Sequence, residues 1–270
     1  MEIIDLNRAT QIELYGHSSK GNQPKWKIEE YWYKADYAGY EALSEVLISH
    51  LISKTNFAKT AKHVDYCAVK IQYDGKEYIG CKSKNFKKPN QMLIPITRLH
   101  RQFKAMSLNE KLATFTLEEG IKYTVDFITE TTNIENFGTY LQAMLELDAL
   151  FLNEDRHTNN IAVLYNEDKD NFEICPIFDF GLSLCSDLND YPLDQDIYKL
   201  CGKVYAKPFV RSFDEQLEAI SKLYGYSLEY SFTKKDIEAE LKNLSEYYPA
   251  QITDRVYDLL AFQMNHYGIR

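Results

Sequence analysis

The 270-residue chain is 45% apolar and 26% charged, with 21 Tyr and 14 Phe, which is the balance of a soluble globular protein with ample material for a core. A formal charge of −9 excludes nonspecific binding to nucleic acid or to an anionic membrane surface, but not a small phosphorylated ligand in a local basic pocket. Five scattered cysteines (Cys67, Cys81, Cys175, Cys185, Cys201), with no CxxC pair and no histidines at zinc spacing, predict free thiols in a reducing compartment.

The opening stretch "MEIIDLNRATQIELYG" has acids where a secretory leader needs a basic end and an apolar core. No run approaches the ~18 apolar residues of a membrane span, so a cytoplasmic location is expected, with an exported effector as the alternative. Residues 16–26, "GHSSKGNQPKW", are small and polar and suit a loop whose backbone N–H groups approach phosphates. Asn22 and Gln23 stand where a Walker loop requires Lys–Ser/Thr, so the loop is of another kind. "WKIEEYWYKADY" (26–37) reads as strand. In 39–55, Tyr40, Leu43, Leu47 and Leu51 recur at helical spacing and predict an amphipathic helix. Residues 66–83 read as a hairpin turning at Asp74–Gly75.

After about residue 98 helical text predominates. The apolar run "YLQAMLELDALFL" (140–152) leads straight into the polar loop "NEDRHTNN" (153–160). "NIAVLYNEDKDNFEICPIFDFG" predicts two short strands around the turn 166–171. Three further helices follow; the first carries Ser212 and Glu215 in capping-box positions and ends at Gly225. The layout is α+β, with a small lobe of sheet plus one helix (1–90) and a larger, mainly helical lobe (91–270). A ligand cleft between the two lobes is expected.

A lone loop aspartate most often bonds its own backbone. Asp155 differs because Asn160 follows five residues later, the spacing of a phosphoryl-transfer loop in which Asp receives the hydroxyl proton and Asn holds Mg²⁺. Asp179 opens "DFG" (179–181) twenty-four residues after Asp155 and supplies a second hard oxygen for the metal. His157 could orient Asp155, contact the transferred phosphate or act as base itself. Lys34, near the end of a strand and just before the amphipathic helix, is the candidate to neutralise ATP phosphates. Glu41 and Glu45 share a helix face and either could pair with it, Glu45 being favoured because Glu41 lies in the first turn.

These residues resemble the HipA-like bacterial serine/threonine kinases. Asp155, His157, Asn160 and Asp179 match that family's Asp-x-His-x-x-Asn loop and metal-binding Asp. Ser18, Gly21, Gln23 and Lys25 match its phosphate loop, which also contains Asn22, and Lys34 fits its ATP lysine. "GCKSKNF" (80–86) is similar to the hinge of compact members, which would set Cys81, Lys82 and Ser83 against adenine. "AKPFVRSFDEQLEAI" (206–220) resembles a segment of the family's larger lobe. The resemblance implies a two-lobed protein-kinase-like fold and an ATP- and Mg²⁺-dependent serine/threonine kinase acting on a protein substrate. It also implies autophosphorylation at Ser18, with neighbouring Ser19 as the other candidate, and a toxin role with a small antitoxin or regulator as partner. The chain is similar to compact members that lack the extra N-terminal subdomain. A more distant resemblance to phosphoinositide kinases keeps a lipid kinase as an alternative, and an inactive pseudokinase scaffold is a second.

Overall fold

The computed structural model describes residues 2–7, 9 and 23–269. The strand text of 25–35 folds as a hairpin rather than one strand. β2 (Lys25–Ile28) and β3 (Tyr31–Ala35) pair antiparallel across Glu29–Glu30, with Glu29 at a left-handed φ of 51°. β4 (Tyr66–Tyr73) and β5 (Lys76–Lys84) form the second hairpin, and Asp74 (φ 50°) and Gly75 (φ 70°) both adopt the positive φ its tight turn requires. β1 (Ile3–Asp5) adds parallel to β4. Among the described residues this gives a five-stranded sheet in the order β1-β4-β5-β3-β2.

Helix α1 (Glu41–Ile52) packs on one face of that sheet and departs from the amphipathic expectation, since every residue except His50 is buried. The cause is a second cover: α8 (Lys234–Leu244) lies on the side that would otherwise meet water. The polar residues of α1 tolerate burial because they are bonded, Ser44 Oγ donating to the Ser183 carbonyl (3.2 Å) and Ser49 Oγ to the Val46 carbonyl (3.0 Å). His50 Nδ1 lies 2.8 Å from Glu240, and Lys54 Nζ 2.8 Å from Asp236, tying this region to α8.

Past Lys84 a short connection leads to β6 (Gln91–Pro95), which joins the expected pair β7 (Ala162–Asn166) and β8 (Asn171–Ile174) in a second sheet ordered β6-β7-β8. β6 escapes the sequence reading because "QMLIP" is short and ends in proline, a residue suited to an edge strand. The larger lobe continues with α2 (Ile96–Lys104), α3 (Leu108–Leu112), α4 (Leu117–Thr132), α5 (Phe137–Phe151), α6 (Ile197–Cys201), α7 (Phe213–Tyr224) and α9 (Ala250–His266). Almost wholly buried, α5 is packed by α4, α7 and α9. Ser212 caps α7 by accepting the Glu215 N–H at 3.2 Å, and Gly225 ends it at φ 75°. One hydrophobic core runs from α1 through the whole helical lobe, and a smaller one (Leu6, Trp26, Tyr33, Ala35, Val69, Ile71) lies under the opposite face of the first sheet. All five cysteines are free thiols. Among the described residues no helix is long and apolar enough to cross a membrane.

Asp36 links the lobes just before α1. Its carboxylate accepts the Ala42 N–H at 2.6 Å and the hydroxyl of Tyr248, from the turn between α8 and α9, at 2.7 Å. Burial pushes this carboxyl from 3.8 up to about 8; the Ala42 N–H opposes the rise and the Glu41 carboxylate adds to it. Between those two values the folded protein holds a proton that the unfolded chain has lost, so this contribution is full below the lower value and fades as pH rises through the upper one. Thermal melts from about pH 5 to about pH 9 should therefore show wild type losing stability as pH rises, with a flatter profile for Asp36→Asn. Equal slopes in the two proteins would remove Asp36 as the source.

Candidate active site

The loop 153–160 hangs from the end of α5, where Leu152 reverses the chain at a left-handed φ of 52°. Asn153 fastens the turn: its N–H donates to the Asp148 carbonyl (2.9 Å), its Nδ2 to Asp148 Oδ1 (2.8 Å), and its Oδ1 accepts the Asp155 N–H (3.1 Å). Asn160 Nδ2 donates to the Asp155 carbonyl at 3.0 Å, which spans the loop and leaves Oδ1 as the amide atom suited to a cation. The Asp155 carboxylate meets Lys207 Nζ at 3.2 Å and faces His157 Nε2 at 3.7 Å. Both His157 ring nitrogens are buried without a hydrogen-bond partner among the described residues.

Arg156, between those residues, points inward and is fully buried against Asp148 of α5. Its Nε lies 2.9 Å from Asp148 Oδ2 and its Nη2 3.1 Å from Oδ1. Nη1 donates to the carbonyls of Asn160 (3.2 Å) and Phe178 (2.8 Å), and the guanidinium sits 4.8 Å from the centre of the Phe180 ring. One arginine thus joins α5, the loop and the DFG segment. Burial raises the Asp148 carboxyl, with Arg156 opposing that rise; for the arginine, Asp148 more than offsets a burial that would lower it.

Asp179 adopts a left-handed φ of 67° and bonds Lys34 Nζ at 2.9 Å. The same ammonium makes a short contact with Glu45 Oε1, while Glu45 Oε2 accepts the Phe180 N–H at 3.0 Å. Glu45, wholly buried, is therefore the partner of Lys34. Glu41 instead accepts the N–H groups of Tyr37, Ala38 and Gly39 in the loop before α1. Burial works to raise the Asp179 carboxyl, but the Lys34 ammonium, aided by Lys25, outweighs it and holds the group well below the usual carboxylate range. The same carboxylates hold Lys34 well above the ordinary lysine value despite its burial.

The register of β2 and β3 sets Lys25 opposite Lys34, so both lysines share the face toward Asp179. Gln23 Nε2 is buried with no hydrogen-bond partner among the described residues, a donor suited to an anionic ligand near Gly181. Ser18, Ser19, Gly21 and Asn22 lie outside the described residues. The expected hinge, 80–86, overlaps the connection between the sheets only at 85–86. β5 runs on to Lys84, so 81–83 are interior strand residues, and the connection between the sheets lies at 85–90. Cys81 is buried in the core opposite Lys34, and Ser83 lies on the same face of the sheet. Alternation turns Lys82 to the other face, where it pairs with Glu2 at 2.6 Å, so its side chain does not face the cleft. From the connection, Phe86 stacks on Phe178 at 5.8 Å and supplies an apolar wall that the sequence reading missed.

The donor set fits Mg²⁺. Among the described residues no three His, Cys, Asp or Glu side chains gather as a metal cage; Asn160 and Asp179 are the residues that could hold such a cation, whose other ligands would be phosphate and water. Lys34, Glu45 and Asp179 together carry one surplus negative charge, and a quarter of the Asp179 side-chain surface is accessible to solvent.

Besides Phe86, three polar contributors to the site were not read from sequence: Asp148, Arg156 and Lys207. Asp148 carried a signal, since a carboxylate inside the apolar run 140–152 is seldom buried unpaired. Removing Arg156 leaves that carboxylate buried and uncompensated and cuts the bonds to Asn160 and Phe178. Arg156→Met should cost about 3–5 kcal/mol, a drop on the order of 10 °C in Tm. Adding Asp148→Asn should recover part of it; thermal melts of the single and double variants that simply add would show the pair to be uncoupled.

No family model matches the chain, and no curated protein matches it. Among solved structures it is similar to the Helicobacter pylori proinflammatory kinase CtkA, with a TM-score of 0.66 and 18% identity over 97% of this chain and 95% of that one. The chain therefore has a two-lobed, kinase-like α+β fold.

Proposed function

We propose that the protein is an ATP- and Mg²⁺-dependent serine/threonine protein kinase of the HipA-like type, with its lobes meeting near residue 90. The observation that carries this reading is Lys34 held between Glu45 and Asp179, with the Asp155–Asn160 loop bonded to the DFG segment through Arg156. Phosphoryl transfer asks a protein mainly for positioning and charge neutralisation, and this arrangement is suited to both. Lys34 and Lys25 meet the phosphates of ATP from the sheet. Asn160 and Asp179 hold Mg²⁺, which when bound supplies charge neutralisation at the phosphates. Asp155 receives the proton of the acceptor hydroxyl, and His157 limits how that carboxylate can turn. Beyond Gly181 the chain carries Asp187, Asp190, Asp194 and Asp196, a charge that disfavours a phosphoinositide headgroup and favours a protein acceptor. The small regulator partner and the toxin role rest on the resemblance alone.

The test is Mg²⁺-dependent transfer of labelled phosphate from ATP to proteins of a cell lysate. Asp179→Ala should reduce transfer by at least about 100-fold and weaken nucleotide binding in Mg²⁺. Its Tm without ligand should stay near wild type, because Lys34 and Glu45 remain a balanced pair. Transfer by Asp155→Asn at the wild-type rate would remove Asp155 as the proton acceptor.

Self-modification is the second expectation. After prolonged incubation with Mg²⁺-ATP, intact mass should show added phosphate on wild type, at Ser18 ahead of Ser19, and none on Asp155→Asn. Phosphoserine brings about −1.5 to −2 charges, which beside the ATP phosphates would repel nucleotide and shut the enzyme off. Active enzyme with both serines unmodified would end that idea.

A further inference from the structure

Lys207 lies between α6 and α7, yet its Nζ donates to Asp155 Oδ1, from a residue 52 positions earlier in the chain, at 3.2 Å. The segment that carries it is braced. The Ala206 N–H donates to the Arg211 carbonyl at 2.8 Å, closing a tight loop over 206–211. Buried Gln216 of α7 uses both ends of its amide on that loop, donating to the Lys207 carbonyl and accepting from the Phe209 N–H, each at 3.1 Å. A pair that merely decorates a surface contributes only ~0–1 kcal/mol and needs no such brace. The Lys207 side chain is 35% exposed and Asp155 only 11%, so the lysine is the more open partner of the pair.

Resting on the phosphoryl-transfer reading above, we propose that Lys207 is a catalytic residue that shifts its hydrogen bond from Asp155 to the phosphoryl group during transfer. In that step the acceptor oxygen bonds to the γ-phosphorus as the bond from that phosphorus to the β–γ bridging oxygen breaks. The electron pair leaves with ADP, and the hydroxyl proton passes to Asp155. Charge spreads over the equatorial oxygens of the group in flight. Lys34 is anchored on the sheet side by Glu45 and Asp179. Lys207, within hydrogen-bond reach of the carboxylate that receives the proton, meets those oxygens from the opposite lobe. Its ammonium only exchanges one anionic acceptor for another. The resting contact with Asp155 therefore stores the ammonium beside the place where it is used.

The experiment measures steady-state transfer, Tm, and calorimetric binding of ADP–Mg²⁺ with and without aluminium fluoride, which mimics the phosphoryl group in flight. Lys207→Met should lower kcat by about 10²–10³-fold and weaken binding of the fluoride complex by a similar factor. ADP–Mg²⁺ binding, the KM for ATP and the Tm should stay near wild type, and Lys207→Arg should retain part of the activity. Lys207→Met with wild-type kcat and wild-type fluoride-complex affinity would reduce Lys207 to a resting partner of Asp155 and overturn the proposal. A fallen kcat with unchanged fluoride-complex affinity would also overturn it, by assigning the effect to the placement of Asp155. Wild type that binds neither ADP–Mg²⁺ nor its fluoride complex would overturn the kinase reading itself.

Discussion

The ammonium of Lys34, enclosed with the carboxylates of Glu45 and Asp179, is the interaction on which the rest of the structure depends. Charges out of water cost several kcal/mol each unless they are paired and hydrogen-bonded. Here Lys34 comes from β3, Glu45 from α1, and Asp179 from the segment after β8. Separating β3 from α1 strands Lys34 or Glu45 in the interior, and Asp179 ties the larger lobe to that pair through the same ammonium. The backbone reflects the same constraint. Asp179 occupies left-handed space, unfavourable for a residue with a Cβ by roughly 1–2 kcal/mol, and the bonds to Lys34 and from the Phe180 N–H to Glu45 hold it there.

Much of this site was legible because its parts are local. Asp155 and Asn160 sit within one loop, and a single hairpin carries the chain from Asn160 to Asp179, so spacing along the chain reports proximity in space. Glu45 could be favoured over Glu41 because first-turn acids usually serve the helix end, and Glu41 accepts N–H groups of the loop just before it. What stayed hidden needed long-range knowledge. Helix α1 reads as amphipathic because its leucines recur at the helical period, and no periodicity announces that α8 will cover its other side. Lys82 fell to strand parity, since a one-residue shift exchanges the faces of a sheet. Lys207 reaches Asp155 across the helical lobe, a relation that no local pattern encodes. Gln23 and Lys25 lie at the edge of the site, while Ser18, Ser19, Gly21 and Asn22 fall outside the described residues.

The loop 153–160 is held by an interior anchor. Arg156, wholly buried, ties the segment that carries Asp155, His157 and Asn160 to α5 and to the Phe178 carbonyl. Loops are ordinarily the mobile part of a fold, and a charged anchor with fixed fork geometry removes that freedom in a way a lysine could not match. Asn153 adds a second brace to the same aspartate, so Asp148 is bonded by two side chains of the loop it supports.

The burial of α1 on all sides has a consequence for how the protein can be controlled. Leu43, Val46, Leu47, Ile48, Leu51 and Ile52 are each at most 2% exposed. At ~1.5–3 kcal/mol per aliphatic side chain, uncovering them costs on the order of 10 kcal/mol, comparable with the whole stability of an ordinary domain. Swinging this helix outward to part Glu45 from Lys34 is therefore closed as a route to an off-state. A compound that acts by prising α1 away would have to unfold the protein to reach its site.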